Sequence, residues 1–247
     1  MTGPEVPPTF RLAYVPGVTP TKWVRVWEER LPDVPLTLVA TPAAEAEALL
    51  REGGADAALL RMPVDRDALQ AIPLYTETTV VVVPKDHVVA AVEELRVGEL
   101  ADEAILHPHD DVLEWETPPG RPAVERPEST EDAMAWAAAS VGLLIVPQSL
   151  ARLYHRKDLV YRPLTDAPES RIALSWPAGD TGDLVEEFIG IVRGRTVNSS
   201  RGRSAPPPPK AAPTAKKKPP PRKATPAKKP QGGAAKGGGK RGKPRKR

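Results

Sequence analysis

Residues 74–90 read LYTETTVVVVPKDHVVA. Four valines in a row, Val80 to Val83, follow a lead-in carrying Thr76, Thr78 and Thr79. β-Branched side chains fit a pleated surface, and an apolar run without alternation suits a strand covered on both faces. Pro84 ends the run, because proline donates nothing to a sheet ladder. Upstream the chain reads as one α/β unit, and downstream a second unit begins. The stretch is therefore expected to be a crossover strand joining two lobes.

On its N-terminal side a strand is expected over 10–15, turned by PGVTP. Thr19 suits an N-cap, with Pro20 at the first helical position. Trp23, Val26, Trp27 and Leu31 then recur at helical spacing over 22–31, and Pro32 closes the helix. A strand over 36–40 follows, and Thr41-Pro42 repeats the cap chemistry ahead of a helix over 43–52. Gly53-Gly54 stops that helix, and DAALLR (56–61) reads as a third strand. The order β-α-β-α-β with short loops implies a parallel sheet with right-handed crossovers.

On the C-terminal side the spacing predicts a short helix over 97–103 and a strand over 104–107. A polar loop over 108–121 carries Asp110, Asp111, Glu114 and Glu116. A strand is expected over 122–126. Ser129 caps a helix over 130–140, with Asp132 three residues on. Strand 143–146, helix 148–155, strands 159–163 and 171–176, and a closing helix over 183–195 complete the folded part.

Charge divides the 247 residues. Residues 1–200 hold 18 Lys and Arg against 32 Asp and Glu, a net −14; residues 201–247 hold 17 cations and no acid, a net +17. The first part is long enough for a sizeable core. The second has no aromatic, Ile, Leu or Val, so it reads as a low-complexity, disordered tail. The chain has no cysteine, which excludes disulfides and thiol chemistry. No apolar run approaches the ~20 residues of a membrane span, and MTGPEVPPTF lacks the pattern of a secretory signal. A cytoplasmic protein, with no membrane partner, is the expectation.

Five stretches together resemble a known family: ERLPDVPLTLV (29–39), LLREGGADAALLR (49–61), the valine stretch 74–90, ELADEAIL (99–106) and STEDAMAWAAASVGLLIVPQSLAR (129–152). Each is weak alone. In this order, at these intervals, they are similar to the substrate-binding (effector-binding) domain of LysR-type transcriptional regulators. The resemblance covers about residues 9–195. It implies the type II periplasmic-binding-protein fold, two α/β lobes joined by two crossover strands around a ligand cleft. Within a domain over 9–197, lobe I would be about 9–83 and 163–197 and lobe II about 84–162, with the second crossover near 161–163 and the tail over 198–247. Family members carry a winged helix-turn-helix ahead of this domain. Here a strand already begins near Thr9, so no such reading head is expected.

The resemblance points the two helix starts, near residues 22 and 130, into the cleft. Free N–H groups and a partial positive charge suit a carboxylate there. Thr19, Thr21 and Lys22 would bind ligand from lobe I, Ser129 and Thr130 from lobe II, with Thr78 and Arg61 lining the floor. The plain alternative is that these residues are ordinary caps satisfying orphan amides. The ligand class expected is a small polar or anionic organic effector.

His107-Pro108-His109-Asp110-Asp111 gathers metal-capable side chains, but no further ligand cluster accompanies it, and a solvated loop is the default. No metal and no cofactor is expected. G-x-G-x-x-G, P-loop and G-x-S-x-G motifs are absent, so nothing marks an enzyme.

The tail is a polycation whose abundant natural partner is nucleic acid. Lys216, Lys217, Lys218, Arg222, Lys223, Lys228, Lys229, Lys240, Arg241, Lys243, Arg245, Lys246 and Arg247 are the expected contacts. Binding would be non-specific, since no aromatic is there to stack on bases. The family's habit implies a homodimer, through helix 22–31 with Trp23 and Trp27 at the contact. Two function classes stay open: a non-enzymatic effector sensor with a DNA-binding tail, or a nucleoid-associated or adaptor protein whose lobed domain is a protein-interaction scaffold.

Overall fold

The computed structural model describes residues 8–179 and 181–195. The expected tail over 198–247 and its candidate DNA contacts lie outside the described residues. In chain order the first elements are β1 (Phe10–Tyr14), α1 (Thr21–Arg30), β2 (Leu36–Ala40), α2 (Ala46–Arg51), β3 (Ala57–Arg61), β4 (Leu69–Glu77) and β5 (Thr79–Pro84). Then come β6 (Ala104–Leu106), β7 (Arg121–Pro122), α3 (Thr130–Ala138), β8 (Leu143–Pro147), α4 (Gln148–Leu153), β9 (Leu159–Pro163), β10 (Ser170–Pro177) and α5 (Asp183–Val192).

The strands form two sheets. The first has the order β2-β1-β3-β10-β4, the second β7-β6-β8-β5-β9. In the first, β1 pairs in parallel with β2 (Leu12 opposite Leu38) and β3 (Leu12 opposite Ala57), while β10 runs antiparallel to β3 and β4. In the second, β6 is parallel to β7 and β8, and β5 is antiparallel to β8 and β9. The chain passes between sheets twice, at Thr78 and over 164–169. Thr79 ties the passages together: its carbonyl accepts from Leu164 N–H at 3.0 Å, and its hydroxyl donates to Pro168 O at 2.5 Å.

The valine strand β5 is buried along its whole length. Val80 and Val82 join the core under α3 and α4, and Val81 and Val83 join the opposite core with Leu100, Ile105 and Ile145. This two-sided cover is why the run does not alternate. In the first lobe Trp27 stacks on Phe10 with ring centroids 4.6 Å apart, and Phe188 of α5 lies 5.2 Å from Phe10. Trp27 is fully buried, and its indole N–H donates to Val34 O at 2.9 Å.

Several expectations are corrected. Trp23 and Trp27 are core residues of their own lobe, so they offer no aromatic surface to a second copy. Thr19 is not a cap; α1 begins after Pro20 with no side-chain cap. Helix 43–52 starts as a 3₁₀ turn, Ala43–Glu45, and only then becomes α2. The expected helix over 97–103 is a single 3₁₀ turn, Val97–Leu100, and strand 122–126 shrinks to Arg121–Pro122. Strand β4 starts at Leu69, well before residue 74, and runs through Pro73. It lies at the sheet edge, where proline's missing N–H costs no ladder bond. Ile172 pairs with Tyr75 and Ala173 with Pro73, so Leu74 sits in a bulge.

Candidate functional site

The carboxyl ends of parallel strands are where α/β sheets build ligand sites. Here the ends of β1, β2 and β3 face the loop over 108–114 and helices α3 and α4 of the second lobe. Between them lies a cleft of about 1170 Å³. Tyr14, Val18, Thr19, Thr41, Arg61 and Met62 line it from the first lobe, and Asp110, Asp111, Glu114, Thr130, Ser149 and Tyr154 from the second. A smaller hollow of about 360 Å³ adjoins it, sharing Gly17, Thr19, Ser149 and Arg152 and adding Lys22, Tyr75, Glu77 and Thr78.

The expected site residues divide accordingly. Thr19 lines both hollows, Arg61 and Thr130 the larger, Lys22 and Thr78 the smaller. Thr21 and Ser129 line neither. Thr21 is exposed at the first position of α1. Ser129 caps α3: its hydroxyl accepts from Asp132 N–H at 3.1 Å and donates to the Asp132 carboxylate at 2.7 Å.

The two helix starts differ in charge. The first turn of α1 holds no acid, and the Lys22 ammonium lies 4.2 Å above the Trp23 ring. The first turn of α3 holds Glu131 and Asp132. A third carboxylate reaches the same end, since the buried Thr130 hydroxyl donates to Asp110 Oδ1 at 2.8 Å. The seat expected for a ligand carboxylate at α3 is thus furnished from within the chain.

Arg61 is a buried hub. Its Nη2 lies 3.1 Å from Glu77 Oε2, with the two side chains 6% and 5% exposed. The same nitrogen donates to Ser149 Oγ at 3.2 Å, Nη1 donates to Pro16 O at 2.9 Å, and Nε donates to Ser170 Oγ at 3.2 Å. Ser170 in turn donates to Glu77 at 2.8 Å. Glu77 ends β4 and Ser170 opens β10, so both sit where the chain leaves or re-enters the first sheet. Ser149, from α4, brings the second lobe to the same guanidinium. Arg61 therefore lines the cleft as a neutralised pair, not as a spare cation.

The lobes approach closely at Gly17. A Cβ there would meet Ser149 Oγ at 2.5 Å and Arg61 Nη2 at 3.2 Å, and the residue has φ +85°. On the far wall Tyr154 has its hydroxyl pKa pushed above the ordinary value, first by burial and then by the charges of Asp110 and Glu131. Glu77, Ser149 and Tyr154 carry no local sequence signal, nor does Ser170 beside Arg61. Only the fold brings the first three to the cleft and its adjoining hollow, and Ser170 to Arg61.

The described residues include no helix long and apolar enough to cross a membrane. The chain resembles transcriptional regulators along most of the folded part. It is 24% identical over 200 residues to the Hca operon transcriptional activator HcaR of Escherichia coli, covering 76% of this chain and 65% of that protein. It is 31% identical over 154 residues to the HTH-type regulator CatR of Pseudomonas putida, covering 58% and 53%. The chain thus spans less than two thirds of the length of either. Among solved structures, the BenM effector binding domain with its effector benzoate superposes with TM-score 0.64 at 19% identity, covering 77% of this chain and 92% of that one. A hydrogen-peroxide-bound cysteine-to-serine mutant of Corynebacterium glutamicum OxyR gives 0.60 at 25% identity, covering 75% and 67%. These likenesses fix the two-lobed, type II periplasmic-binding-like fold. The LysR substrate binding domain description matches residues 6–196, and the chain belongs to that family.

Proposed function

We propose that this domain, the effector-binding domain of a LysR-type regulator, holds a small organic effector in the cleft and reports it through the spacing of the lobes. The observation that carries the reading is the cleft itself, bounded by two separately cored sheets with only two chain passages between them. A ligand touching both walls binds a closed arrangement better than an open one, and only that difference shifts the equilibrium. Thr19, Lys22, Thr78 and Thr130 are proposed as contacts from the two walls, and Arg61 as the group that sets their spacing. The relatives are described as regulators, and no catalytic step is proposed.

Residues 201–247 are proposed to add non-specific DNA binding in the cytoplasm through counterion release. Phosphate contacts of this kind position a protein without reading bases. Thermal-shift screening of the full chain against metabolites tests the sensor. A compound at 100 times its dissociation constant adds about 2.7 kcal/mol. A silent panel favours the scaffold alternative. For the basic segment, DNA affinity is expected to fall steeply with salt and to vanish in a chain ending at Ser200. Equal affinity in that shorter chain overturns the assignment.

A further inference from the structure

The larger cleft has unlike walls. The first-lobe wall presents Val18, Pro42, Ala43 and Met62, and its one charged group, Arg61, is already paired with Glu77. The second-lobe wall presents Asp110, Asp111 and Glu114, with His109 beside them. Asp111 is largely used within its own loop: one oxygen accepts from Leu113 N–H at 3.0 Å, and the other lies 3.9 Å from His107 Nδ1. Asp110 has a single hydrogen bond, from Thr130, and among the described residues neither Asp110 nor Glu114 forms an ion pair. The other arginine on the lining, Arg152, is exposed and donates to the Tyr161 hydroxyl at 3.3 Å.

An anion in this cleft would lie beside Asp110, which sits on the Thr130 hydroxyl at the α3 start, and beside Glu114. Like charges repel, the more so at close quarters, and such repulsion discriminates between ligands. A cation reverses the sign. It completes the unpaired carboxylates, and its uncharged part covers the apolar first-lobe wall. Tyr154 and Tyr14 also line the cleft, and aromatic rings attract cations.

We infer that the effector of this domain is an organic cation, an ammonium, amidinium or guanidinium on an apolar body, with its head on Asp110 and Glu114 and its body against Val18 and Met62. The inference rests on the proposed reading of the cleft as the effector site and narrows its ligand class.

The test is calorimetric titration of the full chain with benzamidine, phenethylamine and agmatine, and with benzoate as the oppositely charged counterpart. At least one cation is expected to bind saturably, one per chain, about tenfold or more tighter than benzoate. Glu114→Gln and Asp110→Asn are each expected to weaken it about tenfold. Both are conservative: Glu114 is exposed, and asparagine still accepts from Thr130. Melting of the ligand-free variants checks that they fold. Cation binding indifferent to both substitutions overturns the placement. Tight benzoate binding that is lost in Arg152→Ala overturns the cation class and leaves the effector reading standing. No saturable binding by any of the three cations overturns the inference, and the effector reading falls with it only if the wider metabolite panel is silent too.

Discussion

At the scale of residues, the Arg61–Glu77 pair decides most. Two opposite charges that are almost fully buried hold together only because Ser149, Ser170 and Pro16 satisfy what remains of the guanidinium and carboxylate. Removing one partner strands the other charge. Glu77→Ala is expected to cost about 3–5 kcal/mol, a fall in melting temperature of roughly 6–20 °C in a domain of this size. Arg61→Met combined with Glu77→Leu should recover much of that loss, because two well-packed apolar groups replace a desolvated pair. Thermal unfolding of the single and double variants measures both. Tyr154 offers a titration. Its hydroxyl is held protonated above the ordinary tyrosine range by burial and by Asp110 and Glu131. An acid whose folded pKa is raised gives stability present below its unfolded value, about 10, and lost as pH rises through the folded one. Asp110→Asn removes one raising charge. The Tyr154 phenolate, isolated by ultraviolet difference against Tyr154→Phe, should then form at lower pH than in the parent.

At the scale of elements, the valine strand is legible in the sequence because its physics is local. Nothing but double cover makes four β-branched residues in a row sensible, and both cores prove to be there. Strand β4 is less legible, since Pro73 argues against a strand until its edge position is known. The apolar stripe of α1 is plain in the sequence, yet periodicity does not say what covers a face. Phe10 and Phe188 cover it. Trp27→Ala is accordingly expected to cost about 3–5 kcal/mol, visible as a lowered denaturation midpoint at any protein concentration. A dimer contact at that residue would instead give a loss that depends on concentration. The loop after β1 has its own constraint. Gly17 combines a left-handed backbone with a missing Cβ against Ser149. Gly17→Ala is expected to lose about 1–2 kcal/mol to the backbone alone, with a further loss from displacing Ser149. Ser149→Gly by itself gives up the hydrogen bond to Arg61, so the comparison is made within that background, where Gly17→Ala should cost only the backbone part in the same unfolding assay.

At the scale of the whole molecule, the family resemblance carries the two-lobed arrangement, which composition and periodicity do not. The cleft is built from residues distant in the chain, such as Arg61 with Ser149 and Asp110 with Thr130, so its charge is not readable from local sequence. Asp110 reads there as one more acid of a solvated loop; only its placement against α3 turns it into a wall of the cleft. The central claim is that occupancy of the cleft changes the spacing of the lobes. The cysteine-free chain makes this directly measurable, because spin labels can be placed at Glu28→Cys in the first lobe and Val124→Cys in the second, both exposed sites. Pulsed dipolar spectroscopy of the doubly labelled full chain reads the distance between them with and without a saturating ligand. A broader, longer distribution is predicted without ligand, narrowing and shortening when the cleft is filled. An identical distribution in the two states, with calorimetry showing the ligand bound, would contradict the claim.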